Sequence, residues 1–288
     1  MKTPAATGGT LFTKEGRGNN QESEEETNLI KILLNGYKGK LGRAVIEAAA
    51  QKPEEFSIVA GVDIPDIKPA LNLSFPVFDK LRDCEEEADL IVDCSHHSIT
   101  QDLLEYAEAK KLPAVICTTG QTPEELEIIQ SYAKKIPIFK SPNMSIGANL
   151  MANLAKRAAM LLKDDFDIEI IEKHHNQKID APSGTALMIA EDICSVFEAE
   201  KKPEYVYERQ SEKCARQKKE LGIHTIRGGT IVGEHEVIFA GPNEIITISH
   251  SAQSREMFAC GALAAAKFLI GKPAALYDMK DLINQIIE

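Results

Sequence analysis

The run Glu169-Ile170-Ile171-Glu172-Lys173-His174-His175-Asn176-Gln177-Lys178-Ile179-Asp180-Ala181-Pro182-Ser183-Gly184-Thr185-Ala186 gathers two histidines and two lysines in a chain of formal net charge −11. A histidine gives or takes a proton near neutral pH. A lysine in a site serves as proton donor or electrostatic anchor. Ser183, Gly184 and Thr185 open a predicted helix, and the first N–H groups of a helix can grip a carboxylate. Asp180 can orient Lys178 through an ion pair. Such a loop can hold a dicarboxylate and protonate it. The same residues also read as a fragment of a metal site, although no third ligand is suitably spaced, or as a solvated loop ahead of an ordinary helix start.

A second group of residues suits a dinucleotide. The apolar run Leu29 to Leu34 enters Gly36-Tyr37-Lys38-Gly39-Lys40-Leu41-Gly42, and Arg43 to Gln51 has helical periodicity. Glycines allow a tight turn and close approach of a pyrophosphate, and the helix start supplies N–H groups and the positive end of a dipole. Lys38 stands where the usual fingerprint has its second glycine. Asp63 ends the next predicted strand, where an acid meets the adenosine ribose. That carboxylate favours NAD by repelling a 2′-phosphate. Lys38 and Lys40 either offset the repulsion or are solvated surface lysines, so NADH and NADPH both stay open. Ligands in such folds bind at the carboxyl ends of strands. This adds Ser95-His96, Cys117-Thr118-Thr119-Gly120 and Ser141-Pro142-Asn143-Met144 to the candidates.

The elements that must position these residues follow from periodicity. Strands are predicted over Leu29–Leu34, Phe56–Val62, Ala88–Cys94, Pro113–Cys117 and Ile136–Phe139. Between them lie helices over Arg43–Gln51, Ile99–Lys111 and Pro123–Lys135, the last N-capped by Thr122. This alternation predicts a doubly wound parallel sheet. After Asn143 come a helix over Gly147–Leu162, a strand over Phe166–Glu172 and a helix over Thr185–Ala199. A polar, irregular connection spans Glu200–Lys219. Strands over Ile223–Arg227, Ile231–Phe239 and Glu244–Ser249 follow, joined by Gly228-Gly229 and Gly241-Pro242-Asn243, which suggests antiparallel pairing. Helices over Ser254–Ile270 and Asp278–Ile286 are expected to return to the first domain. The fold class is α/β: a Rossmann-type doubly wound parallel sheet plus an α+β domain with an open mixed, largely antiparallel sheet.

The 288 residues suffice for two domains, and 43% hydrophobic with 27% charged residues is a globular composition. No apolar run reaches the roughly 18 to 20 residues of a membrane span. The acidic balance argues against nucleic acid. None of the six cysteines pairs at C-x-x-C spacing. A reducing cytoplasm without disulfides is therefore expected. Residues 1–27 lack apolar periodicity and read as a disordered tail.

The segment Glu169 to Ala186 resembles the signature of the 4-hydroxy-tetrahydrodipicolinate reductase (dihydrodipicolinate reductase) family of diaminopimelate and lysine biosynthesis. Matching residues are Glu169, Glu172, His174, Lys178, Asp180 and Pro182 to Ala186. The resemblance runs from Ile30 to the C-terminus through Gly36–Arg43, Ser141–Asn149, Arg227–Glu234 with His235, and Tyr277-Asp278-Met279. It implies a dinucleotide-binding domain of residues 28–144 and 254–288, and a substrate-binding and oligomerisation domain of residues 145–253 whose sheet assembles a homotetramer. It further implies hydride transfer from NADH or NADPH to C4 of a six-membered ring, with loss of water. By position, His174 is the proton donor/acceptor and Lys178 the proton donor. His175 contacts substrate, and Gly184 and Thr185 bind a substrate carboxylate. The cofactor lies on Gly36, Tyr37, Lys38, Gly39, Lys40, Leu41, Asp63, Cys117, Thr118, Thr119, Ser141, Pro142, Asn143 and Met144, and no metal is expected. Two positions depart from the family: Cys117 replaces a common glycine, and Ile64 stands where some members use an arginine for the 2′-phosphate. The competing readings are an enzyme for another imine or 2-oxo acid, and a nicotinamide-binding sensor, which would not need the His/Lys pair.

Overall fold

The computed structural model describes residues 29–65, 73–211 and 214–287; the expected tail 1–27 lies outside them. Strand β1 (Ile30–Asn35) is apolar on both faces because it runs through the middle of a parallel sheet. Helix α1 (Lys40–Ala50) buries Val45, Ala48 and Ala49. There follow β2 (Phe56–Val62), β3 (Val77–Phe78), β4 (Leu90–Asp93), α2 (Thr100–Lys110), β5 (Ala114–Ile116), α3 (Pro123–Tyr132) and β6 (Ile138–Lys140). Thr122 caps α3 in a capping box with Glu125, and Pro123 occupies the first turn, where its missing N–H costs nothing.

The chain continues with α4 (Ile146–Leu162), β7 (Asp167–His174), α5 (Gly184–Cys194), β8 (Glu204–Val206), β9 (Glu220–Arg227), β10 (Gly233–Ala240) and β11 (Ile245–Ala252). It closes with α6 (Glu256–Leu269), β12 (Leu276–Tyr277) and α7 (Met279–Ile287). No helix among the described residues is long and apolar enough to cross a membrane.

The first sheet has the order β12-β6-β5-β4-β1-β2-β3, and every pairing is parallel. Its two faces carry separate cores, and strand alternation divides the residues between them. Ile32, Leu34, Leu90 and Val92 pack with α1, α6 and α7; Leu33 and Ile91 pack with α2 and α3. The C-terminal helices thus return to the first sheet, as expected. They also bring back β12 as its edge strand, which is too short to show in periodicity.

The second sheet has the order β11-β10-β7-β9-β8 and is mixed. The β10–β11 and β10–β7 pairs are antiparallel; β7–β9 and β8–β9 are parallel. The expected Gly228-Gly229 hairpin between β9 and β10 does not form, because β7 lies between them. A turn signal fixes where the chain bends but not which strand it bends towards. Residues 228–232 are long enough to step across two strand spacings of about 4.8 Å each.

Three further expectations change. Strand β7 runs on to His174, so Lys173 and His174 are strand residues rather than loop residues. Helix α5 stops at Cys194, short of Ala199, and the polar connection Glu200–Lys219 contains edge strand β8. Along β7, Ile168, Ile170, Glu172 and His174 turn inward beneath α4 and α5.

Helix α6 closely approaches the loop that follows β6. A Cβ at Gly261 would run into the Met144 carbonyl. Gly261→Ala is expected to cost about 1–3 kcal/mol through overpacking. Urea unfolding measures the effect, and a wild-type midpoint would refute this role for Gly261.

Candidate active site

The carboxyl ends of the first sheet face the start of α5 across a cleft of about 560 Å³. One wall carries Lys40, Leu41, Cys117, Thr119 and Ser141 to Met144; the other carries His174, His175, Lys178, Asp180, Ser183, Gly184 and Thr185. Residues from distant parts of the chain thus converge as the sequence suggested. Arg255 and Phe258 of the α6 start also line the cleft, without having been singled out in the sequence.

The glycine turn is built for close approach. Gly36 has φ +80°, and a Cβ there would lie 2.6 Å from the Cys94–Ser95 peptide. A Cβ on Gly42 would overlap the Gly36 carbonyl. Gly39 caps α1 without any side-chain hydrogen bond, while the Arg43 N–H already bonds the Gly39 carbonyl. The preceding N–H groups of the first turn have no partner within the helix and present its positive end. This cradle fits a dinucleotide pyrophosphate.

Asp63 accepts the N–H of Lys38 at 2.9 Å and of Ile64 at 2.8 Å. The Lys38 ammonium donates to the Ile64 carbonyl at 2.7 Å and lies 5.6 Å from the centre of the Tyr37 ring. Lys38 is therefore folded onto the acid-bearing loop, whereas Lys40 lies in the cleft wall. Gly36, Tyr37, Lys38, Gly39, Asp63 and Thr118 lie outside the cleft lining. The Thr118 hydroxyl turns inward and donates to Asp93 at 2.5 Å. Asp93, which the sequence reading missed, also accepts from Asn35 at 2.8 Å and the Ser95 hydroxyl at 2.5 Å, tying together the ends of β1, β4 and β5. Burial pushes its carboxyl up in spite of those bonds.

The second wall is organised around Glu172, whose side chain is fully buried. Its carboxylate accepts a two-pronged bond from Arg227 at 2.8 and 2.9 Å, the Ser183 N–H at 3.0 Å and the Thr225 hydroxyl at 3.1 Å. It also accepts from His174 Nδ1 at 2.6 Å. Burial pushes the Glu172 carboxyl up, but Arg227, His174, Ser183 and Thr225 together outweigh it and hold the group below the usual carboxylate range. An ionised carboxylate only accepts, so Nδ1 of His174 carries the proton and Nε2 is the free acceptor of the neutral ring. Burial lowers the His174 pKa, and the nearby Lys178 and Arg227 add to this against the pull of Glu172. Nε2 lies over Gly233, where an added Cβ would come within 3.1 Å.

Lys178 pairs with Asp180 at 2.9 Å, as the sequence suggested. Ser183 caps α5 by accepting the Ala186 N–H, and its hydroxyl also meets His235 Nε2 at 3.1 Å. His235 stacks edge-on against His174, ring centres 5.3 Å apart. Burial and the neighbouring His174 push its pKa down to about 4. Nothing lies within 4 Å of a Cβ built on Gly184, so the first turn of α5 opens to the cleft. Asn143 donates to the Thr185 hydroxyl at 2.9 Å. Among the described residues no three His, Cys, Asp or Glu side chains gather for a metal. Arg227, Thr225 and His235 reach the site only through strand pairing, so their place in the sequence carries no signal of proximity.

Two family profiles match the chain: "Dihydrodipicolinate reductase, N-terminus" over residues 30–144 and "Dihydrodipicolinate reductase, C-terminus" over residues 147–283. The 4-hydroxy-tetrahydrodipicolinate reductase of Caldanaerobacter subterraneus subsp. tengcongensis is 52% identical over 257 residues, covering 89% of this chain and 99% of that protein. The Clostridium tetani enzyme of the same name is 48% identical, covering 89% and 98%. A dipicolinate-bound dihydrodipicolinate reductase from Paenisporosarcina sp. TG-14 superposes with a TM-score of 0.73 at 27% identity, covering 87% of this chain and 97% of that one. Both halves of the molecule, the glycine cradle and the Glu172-centred wall alike, fall within these matches, and the chain belongs to the dihydrodipicolinate reductase family.

Proposed function

We propose that His174 and Lys178 handle the protons, and that Gly184 and Thr185 grip a substrate carboxylate, as this reductase converts 4-hydroxy-tetrahydrodipicolinate to tetrahydrodipicolinate. When bound in the cleft, NADH or NADPH would supply a hydride for C4 of the ring. Overall one hydride and one proton are taken up and one water leaves. The observation that carries this reading is the convergence, in one cleft, of a Glu172-oriented imidazole, an Asp180-paired ammonium and the open first turn of α5.

Each group has a defined part. Glu172 fixes the tautomer of His174 and leaves Nε2 to accept or return a proton. Lys178 is the proton donor, and its ammonium also offsets the charge of a dianionic ring. His175 lines the same wall and contacts the substrate. The N–H groups of Gly184 and Thr185 bind one carboxylate. When the cofactor is bound, Gly36 to Leu41 would hold the pyrophosphate, Asp63 would face the adenosine ribose, and Cys117 to Thr119 with Ser141 to Met144 would flank the remainder.

In this reading residues 28–144 and 254–288 form the dinucleotide-binding domain, and residues 145–253 the substrate-binding and oligomerisation domain. The packing of α6, β12 and α7 on the first sheet supports that division. The outer face of the second sheet exposes Ile226 and Ile245 beside charged Glu169 and Lys173. A homotetramer assembled through that face would cover them. The protein acts in the cytoplasm.

A coupled assay tests the function: substrate is generated in situ from pyruvate and aspartate semialdehyde, and oxidation of NADH and of NADPH is followed separately. Substrate-dependent oxidation is expected with at least one cofactor; none with either, in protein that binds NADH, would refute the reading. Lys178→Ala is expected to lower kcat by about 10²- to 10⁴-fold with NADH affinity retained. An equal loss of both would remove Lys178 from proton transfer. Glu172→Gln puts an amide donor beside Nδ1 and is expected to lower kcat by a similar factor. Because breaking a buried ion pair costs about 3–5 kcal/mol, its unfolding midpoint must be measured alongside, and wild-type kcat would refute the tautomer argument.

His235 also links stability to pH. Burial holds its folded pKa at about 4, below the ordinary histidine value of about 6.5, so stability is complete above the unfolded value and is lost as pH falls from 6.5 towards 4. The loss is on the order of 3 kcal/mol. Urea unfolding at pH 7 and pH 4.5 should show a smaller drop for His235→Asn than for wild type, and equal drops would contradict the assignment.

A further inference from the structure

Asn143 belongs to the cofactor wall of the cleft, yet its side chain reaches the opposite wall. It follows β6 and is held from several sides. Its carbonyl accepts the Ser141 hydroxyl at 3.0 Å and the Asn149 amide at 2.7 Å, and its Oδ1 accepts the Ser145 N–H at 2.8 Å. Because Oδ1 is committed to a backbone donor, the amide cannot be turned over without losing that bond. Nδ2 must therefore be the atom that faces α5, and it donates to the Thr185 hydroxyl at 2.9 Å. Thr185 is the second residue of α5, beside the open position of Gly184.

We infer that Asn143 is a positioning residue which couples occupancy of the dinucleotide cradle to affinity for the substrate carboxylate, through its hydrogen bond to Thr185. The inference rests on the proposed reading of Gly184 and Thr185 as the carboxylate clamp. A cofactor packed on residues 141–144 restrains Asn143, and through it the Thr185 side chain and the first turn of α5. A dicarboxylate arriving afterwards has less freedom left to remove and binds more tightly. Linkage makes the effect reciprocal: the dicarboxylate tightens cofactor binding by the same factor. Neither partner has to transfer a proton for this, so the bond acts on affinity rather than on the chemical step. In kinetics the loss appears chiefly as a raised KM for the ring substrate.

Calorimetric titration of the full-length protein with dipicolinate, without and then with saturating NADH, tests this. In wild type, NADH is expected to tighten dipicolinate binding by a factor within the range of about 5- to 150-fold usual for coupled sites. In Asn143→Ala and in Thr185→Val the ratio should fall towards one, with NADH itself still bound. Thr185→Ser keeps the hydroxyl and should restore the ratio. A ratio unchanged in both disrupting variants, or lost as fully in Thr185→Ser as in Thr185→Val, would overturn the coupling while leaving the clamp in place. Failure of wild type to bind dipicolinate under either condition would overturn the clamp and the coupling together.

Discussion

The site depends on one buried charge. Glu172 sits in the middle of the second sheet with its side chain fully enclosed, and an isolated carboxylate there would carry a large desolvation cost. The two-pronged Arg227, the Ser183 N–H, the Thr225 hydroxyl and His174 saturate its oxygens. Three of those partners do something further. His174 carries the free imidazole nitrogen, Ser183 starts α5, and Arg227 also donates to the Asp180 carbonyl in the Lys178 loop. The anion therefore fixes the histidine, the helix start and the lysine loop in one frame.

That requirement makes sense of the strand order. With β9 parallel to β7, Thr225 pairs opposite Glu172, and Arg227 opposite His174. On the other side β10 places His235 opposite Glu172. A local β9–β10 hairpin would leave β7 with one neighbour fewer and its carboxylate without this full set of donors. The longer connection through residues 228–232 adds loop-closure entropy, but that cost grows only slowly with length. It is small beside the cost of an unpaired buried carboxylate.

The cofactor wall follows different physics, that of close backbone approach. Gly36 and Gly42 let the turn fold on itself, and Gly261 lets α6 press against the Met144 carbonyl in the loop after β6. Asp93 gathers three strand ends from within, so the loops that face the cleft rest on a polar knot rather than on solvent. The two walls meet where Asn143 reaches Thr185.

Local pattern in the sequence was enough for the parallel first sheet, because βαβ units need only the right periodicity in the right order. The ion pair of Lys178 with Asp180 and the Ser183-capped start of α5 are likewise set by neighbours a few residues apart, and they were legible for that reason. The chemistry of His174 was legible only as a residue type. Its protonated nitrogen is decided by Glu172, and the charge of Glu172 by Arg227, which lies far along the chain and arrives by strand pairing. The same limit hid Asp93, β12 and the true neighbour of β9. Short-range pattern determines which elements form and what functional groups they carry; long-range register, enforced by burying one carboxylate with all its donors, decides which groups meet and in what protonation state.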